Sequence, residues 1–460
     1  MTQHPRPGLG LCALALGALL VLTTPWAEAA KVPVYAITHA KVLTGTGVTM
    51  DNATVVLRDG LILEVGTGVA IPKDARVLDG TGLTVTPGLI DAFSGAGMPA
   101  PRTGRGGPGA GATGGAAATP APDPIAPTVN IHEALRPSEA LKARDSGVTT
   151  IVPVPREGLV HGAASVMDLV GDKPEAMVVK SNVALVASMN TLGQRYPGSL
   201  MGVMAFLRQA LLDASYHRAE VAAYEKAPSG KKRPRFDPGL DVWAQVASGT
   251  LPLMLQTSRV GDLRRAFSLA DEFKLKLVLA GNTHAFEEMA LLRERKPALL
   301  VSVNYDPPTA GGGFGGSDDD KSRAEIEGAE KNPAALDKEG IPFALVSGFA
   351  SDFVAGIRKA IEKGLPRESA LRAVTLAPAE ILGVADRMGS LQKGKIGNLA
   401  VWSGEPFAKE AKVKMVFVDG ELYEPEEKPA GTPGGSPPRP GEHRGEASRE
   451  VGRMNGEIKR

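Results

Sequence analysis

Several side chains in this sequence could do chemistry where apolar runs end. TPGLIDAFSGAG puts a carboxylate, Asp91, after Leu89-Ile90; LPLMLQT closes on the amide of Gln256; LAGNTHAFEE offers the imidazole of His284; and FALVSGFASDF carries a second carboxylate, Asp352, in the loop that follows. Runs of this kind form buried strands, so these groups belong to strand ends. An imidazole titrates near neutrality and, paired with a carboxylate, can act as general base and acid on a small substrate. Imidazoles and carboxylates are also the ligand types of a divalent ion, but one imidazole cannot hold an ion, and a histidine opening a helix reads equally as a local hydrogen bond. His284, Gln256 and Asp352, with Arg259, Asp306 and His161 near them, are the groups whose convergence would make a catalytic site. Lys180 could be imagined as a carbamylated ligand but reads better as a solvated lysine before a strand, Asp91 reads better as a structural group at its strand's end, and His39 and His132 are assigned no role.

The elements that must position these groups alternate. Between residues 148 and 348 lie VTTIVPV, ASVMDL, VALVAS, LPLMLQT, KLVLAG, ALLVSV and PFALVSG, with helical periodicity in segments such as VGDLRRAFSLADEF and HAFEEMALLRER. With Leu89-Ile90 these make eight strands, and eight strand-helix units in about 300 residues fit a (β/α)8 barrel. Both ends have another texture. YAITHAKVLTG, ATVVLRDGLILEVG and ARVLDGTGLTV at one end, and IGNLAVWSG and VKMVFVDGELYE at the other, read as short strands. Asp59-Gly60 and Asp419-Gly420 mark two-residue hairpin turns. The expected architecture is therefore α/β: a TIM-type barrel over residues 89–387, with a small β-sandwich built from 31–88 and 388–425.

Residues 99–127 are nearly all Gly, Ala, Pro and Thr, too poor in large apolar groups to offset ordering entropy, and this composition predicts a mobile loop over the barrel's top. A Pro, Gly and charge mixture predicts a disordered tail over 426–460. The glycine patch TAGGGFGGSDDDKS lacks the Gly-Lys-Ser/Thr of a phosphate loop, and its acidic run lacks the alternate spacing and distal glutamate of a calcium loop. No Gly-x-Ser-x-Gly elbow is present. The net charge of +1 gives no electrostatic reason to expect nucleic acid as a partner.

Arg6 precedes an apolar run from Gly8 to Leu22, and Ala27–Ala30 ends it in small residues, the pattern of a cleaved secretory signal over residues 1–30. The run is shorter than the ~20 apolar residues of a spanning helix, so no transmembrane anchor is expected after processing. The one cysteine, Cys12, lies inside it, which leaves the rest of the chain without disulfide or thiolate chemistry. A periplasmic or secreted location follows.

VTPGLIDA, DSGVTTIVPV and above all ESALRAVTLAPAEILGVADRMGSLQKGKIGNLAVW, Glu368 to Trp402, resemble the amidohydrolase superfamily near its imidazolonepropionase-like branch. The resemblance implies a barrel with a divalent metal such as zinc at the C-terminal ends of the strands, hydrolysing non-peptide carbon–nitrogen bonds of a small molecule with a metal-activated water. It also implies ligand positions that this sequence fills otherwise. The two strand-one histidines are Phe93 and Gly95, the strand-five position falls at Gln256-Thr257-Ser258, and the strand-eight aspartate falls at Ser347-Gly348. A degraded metal motif of this kind implies no bound metal and no other cofactor. It leaves two functions open: a hydrolase whose pocket is rebuilt around His284, Gln256, Arg259 and Asp352, or a non-catalytic binding or scaffold protein of the cell envelope. A small-molecule ligand is the expected partner, and oligomerisation is left open.

Overall fold

The computed structural model describes residues 33–100, 123–305 and 319–425. Residues 1–32, which include the expected signal segment and Cys12, the stretch 101–122, Asp306, most of the glycine patch and the residues from 426 lie outside the described residues.

The two ends meet in one sheet. From the N-terminal side come β1 (Tyr35–Leu43), β2 (Thr49–Arg58), β3 (Leu61–Gly66), β4 (Arg76–Asp79) and β5 (Thr84–Pro87). From the C-terminal side come β14 (Leu399–Trp402), β15 (Val413–Val418) and β16 (Glu421–Tyr423). Their hydrogen-bonded order is β16-β15-β14-β5-β1-β2-β3, with β4 branching from β1, so both ends give strands to one sheet, and it curls on itself: Tyr35 of β1 and Phe417 of β15, three strands apart in that order, meet edge to face at 5.2 Å. Asp59-Gly60 and Asp419-Gly420 form the two hairpin turns with positive φ at all four residues, the geometry that favours Asp and Gly there. A Cβ on Gly420 would lie 2.9 Å from Gly60 Cα, so the two turns pack backbone against backbone.

The second sheet runs β13-β12-β11-β10-β9-β8-β7-β6. Its strands are β6 (Leu89–Ser94), β7 (Val148–Pro153), β8 (Val160–Asp168), β9 (Val178–Ser188), β10 (Leu253–Gln256), β11 (Leu277–Ala280), β12 (Ala298–Ser302) and β13 (Ala344–Val346). It is nearly closed: Ser347, just beyond β13, donates its N–H to Asp91 Oδ1 of β6 at 2.9 Å. Among the described residues the α-helices are α1 (Pro137–Ala140), α2 (Leu200–Lys226), α3 (Pro238–Ala247), α4 (Val260–Phe273), α5 (Met289–Arg295), α6 (Asp319–Lys338), α7 (Phe353–Glu362), α8 (Arg367–Ala373) and α9 (Leu376–Leu382). Strand side chains alternate between two buried clusters, as period-two alternation requires when helices cover the outer face. Val152, Val166, Val186 and Met254 pack inside, while Ile151, Met167, Leu185 and Leu253 pack outward.

The uniform strand-helix repeat needs correction at one place. β8 is antiparallel to both β7 and β9, whereas β6-β7, β9-β10, β10-β11, β11-β12 and β12-β13 are parallel. Residues 154–159 link β7 to β8 without a helix, and only a 3-10 turn, Pro174–Met177, separates β8 from β9. A link of that length can return a strand antiparallel but cannot carry a parallel crossover. The C-terminal end of β8 therefore lies at the barrel floor, beside the starts of its neighbours.

Candidate functional site at the barrel mouth

The mouth is best defined where β6 and β13 end. The β6–β7 pairing is irregular between Asp91 and Ser94. Asp91 Oδ1 accepts from Ser347 N at 2.9 Å and from Phe93 N at 3.4 Å. Burial pushes the Asp91 carboxyl above the usual range, against hydrogen bonds from Ser347, Ser94 and Phe93 that pull it back. Asp91 thus ties the first strand to the last.

Phe93 is fully buried and meets Phe349 edge to face, with centroids 5.4 Å apart. Phe349 has φ of 72°, an uncommon conformation for an aromatic residue. Arg156 stabilises it: Nη2 donates to Phe349 O at 2.7 Å, and the guanidinium carbon is 5.1 Å from the ring centroid. A Cβ on Gly95 would lie 2.7 Å from Phe349 Cδ1, so Gly95 is the residue that admits this ring. At Gly348, φ is 54° and a Cβ would lie 1.9 Å from Ser302 Oγ.

A divalent ion does not fit this donor set. Phe93 and Gly95 bring no ligand atom, the Phe349 ring covers Gly95, and Gly348 has no room for a carboxylate-bearing side chain. Among the described residues no group of three or more His, Cys, Asp or Glu side chains could hold a metal. No step through a metal is therefore derived.

The three residues singled out for catalysis fall in different surroundings. Asp352 lines a cavity of about 1220 Å³ with Ser94, Gly95, Arg156, Ser347 and Phe349. Its Oδ1 accepts from Ala355 N at 2.8 Å, which caps the start of α7. His284 lies instead in a cleft of about 10 Å³ with Thr257, Arg259 and Asn282, its Nδ1 2.9 Å from Thr283 Oγ1. Gln256 ends the adjacent strand and lines neither space; its Oε1 is buried without a hydrogen-bond partner among the described residues. His284 and Gln256 thus follow two adjacent strands, β11 and β10, and Asp352 lines a different cavity from His284.

His161, His132, His39 and Lys180 each sit in local surroundings away from one another. His161 is buried, its Nε2 lacks a partner among the described residues, and burial pushes its pKa down to about 4, against a hydrogen bond to the Glu157 backbone. His132 Nδ1 is 3.0 Å from Ser165 Oγ, and exposed His39 lies 3.6 Å from Asp79. Lys180 Nζ donates to Leu382 O at 3.2 Å and Gly383 O at 2.8 Å, closing the end of α9. Sequence reasoning did not single out Phe349 or Arg156 at the mouth, because an aromatic or an arginine in a loop carries no spacing signal. Nor did it single out Asp168 at the floor, although a carboxylate inside the run ASVMDL could have been noticed as a buried charge.

Residues 276–423 match the amidohydrolase family model. Among curated proteins the chain is similar to the amidohydrolase tasK of Hapsidospora irregularis, 35% identical over 71 residues that are 15% of this chain and 7% of that protein. It is also similar to a dihydroorotase of Citrifermentans bemidjiense, 50% identical over 40 residues, 9% of each. The matched stretches thus span under a tenth of either relative. Among solved structures, an amidohydrolase from Thermotoga maritima MSB8 superimposes with a TM-score of 0.71 at 25% identity, covering 85% of this chain and all of that one. The chain therefore carries an amidohydrolase family domain match, and its nearly closed barrel has an amidohydrolase as a structural neighbour.

Proposed function

We propose that this chain is an exported protein on an amidohydrolase-type barrel that has lost metal-dependent hydrolysis of carbon–nitrogen bonds and holds a small molecule at the barrel mouth. The observation that carries the reading is the Phe93–Phe349 pair closed over Gly95, because it puts apolar rings where the fold's chemistry would need ligand atoms and a water. The cavity beside it, with Arg156, Ser94, Ser347 and Asp352 on its wall, offers hydrogen-bonding groups to a small polar ligand. Export rests on the pattern of residues 1–30.

A second reading has its own support. The family match and the similarity to a dihydroorotase favour a hydrolase of carbon–nitrogen bonds, which here would have to work through a rebuilt site rather than an ion. Metal analysis of the purified mature protein, together with hydrolysis assays on cyclic amides and N-acyl compounds, separates the two. The expected result is no stoichiometric metal, thermal stability unchanged by chelators, and no turnover. Turnover that survives chelation would establish the second reading. One equivalent of tightly bound zinc, manganese or nickel would overturn the first. Replacing Phe93 and Gly95 with histidine should not restore activity, since it supplies two ligands without a strand-end carboxylate and forces Phe349 out of its place.

A further inference from the structure

At the opposite end of the barrel, a carboxylate is buried in the joint with the end sheet. Asp168 closes β8 at the floor, paired in register with Thr150 of β7, and is 1% exposed. Thr150 Oγ1 donates to Asp168 Oδ1 at 2.7 Å, and Asn398 Nδ2 donates to Thr150 Oγ1 at 3.3 Å. Asn398 stands at the entry to β14, and its Oδ1 accepts the N–H of Asp419, in the β15–β16 turn, at 2.9 Å. One chain of hydrogen bonds therefore runs from the barrel interior into the end sheet. Asp168 Oδ2 is buried and has no hydrogen-bond partner among the described residues.

We infer that Asp168 is a proton-gated fastener between the barrel floor and the end sheet: carrying a proton it seals the joint at Asn398 and the Asp419-Gly420 turn, and on losing it the joint loosens. An ionised carboxylate with one bare, buried oxygen is far more costly than a neutral acid in the same place. The second carboxylate, Asp419, reaches the joint from the end sheet, with Glu421 acting on it from β16. Arg387, beyond α9, is the opposing cation, and its Nη1 donates to Val179 O at 2.8 Å. Lys395 donates within its own segment to Ala385 O and Ser390 Oγ. Burial first and the charge of Asp419 second push the Asp168 pKa from its ordinary 3.8 up to about 7, while Thr150, Asn398 and Arg387 pull it down.

The sign follows from proton linkage. The folded chain keeps a proton on Asp168 where the unfolded chain has released it, so this group's contribution falls as pH rises from the ordinary carboxylate range to about 7 and is level above that. Infrared spectra of the full-length protein test it through the C=O band of a protonated carboxyl. The part of that band missing in Asp168→Asn should titrate near neutrality. Asp419→Asn, tolerated at positive φ, removes the repelling charge and should move the midpoint to lower pH, whereas Thr150→Val removes a stabilising donor and should move it to higher pH. Amide exchange in 418–421, corrected for its intrinsic pH dependence, should speed by up to about tenfold from pH 6 to pH 8 in the wild type and not in Asp168→Asn. An Asp168-dependent band titrating in the ordinary carboxylate range, or equal exchange ratios in the two proteins, would overturn the inference. If Asp168→Asn fails to fold, the opposite movements from Asp419→Asn and Thr150→Val decide it, and two unmoved midpoints reject it.

Discussion

The mouth and the floor of this barrel hold their buried carboxylates in opposite ways: Asp91 is fastened to backbone N–H groups, and one oxygen of Asp168 has no hydrogen-bond partner among the described residues. In barrels of this type the strands deliver reactive groups to the C-terminal face, while the opposite face serves stability. Here the mouth near β6 and β13 is closed by Phe93 on Phe349, and its carboxylate, Asp91, is occupied by the backbone N–H groups of Ser347 and Phe93. The floor holds the carboxylate with the bare oxygen, Asp168, strung to the end sheet through Thr150 and Asn398. The difference separates two things that a fold likeness joins: a backbone can keep its strand ends while the polar tension moves to the other end of the barrel.

The largest expected effect tests how firmly the mouth is closed. Gly348→Ala adds only a Cβ, at a position 1.9 Å from Ser302 Oγ with φ of 54°. Overpacking and the left-handed backbone together should cost about 3 kcal/mol or more in denaturant unfolding. Gly348→Asp should cost at least as much. An unchanged unfolding midpoint for the alanine variant would mean that the mouth can open, and the comparison with the floor would fail.

A smaller effect sharpens the comparison through pH. His161, at the mouth end of β8, has a folded pKa of about 4 against an ordinary 6.5, the opposite displacement to Asp168 at the other end of the same strand. The unfolded chain takes up a proton at His161 where the folded chain does not, so its contribution is lost as pH falls from 6.5 to about 4, by about 2–3 kcal/mol. Over that window Asp168 acts with the reverse slope, and the two offset each other in the wild type. Asp168→Asn should therefore show stability rising with pH between 4 and 6.5, and His161→Gln should show it falling. Parallel profiles for the two variants would reject the assignment.

Much of this architecture is written in local sequence. All eight barrel strands lie on the apolar runs, and both hairpin turns lie at Asp-Gly pairs, because period and turn chemistry act over a few residues. The direction of β8 was less visible. Gly162, Ala163 and Ala164 weaken its pattern, and period two says nothing about direction, although the short link after Pro153, with no helical pattern, was a usable sign. The absence of ligand atoms at Phe93, Gly95, Ser347 and Gly348 could be read directly. That Phe349 fills the space over Gly95 could not, since it depends on a loop held by Arg156 from another loop, the link between β7 and β8. Likewise Asp168 is linked through Thr150 to Asn398 and Asp419 across more than 200 residues of chain, a connection that no local pattern encodes.

The smallest effect concerns Asp352, which sequence reasoning offered as a catalytic group and which caps α7 in the structure. Capping needs only an acceptor near the first turn, so Asp352→Asn should leave stability within about 0.5 kcal/mol, while Asp352→Ala should lose about 1 kcal/mol. A catalytic carboxylate behaves differently: its amide cannot exchange a proton at working pH, so both substitutions would abolish turnover whatever their stability. The two roles thus predict different rankings of the same pair. If neither variant has an activity to lose and only alanine lowers the unfolding midpoint, Asp352 belongs with Asp91 among the carboxylates that hold the mouth's backbone in place. A turnover that disappears with asparagine while the midpoint stays put would return Asp352 to the reacting groups and place chemistry at the mouth after all.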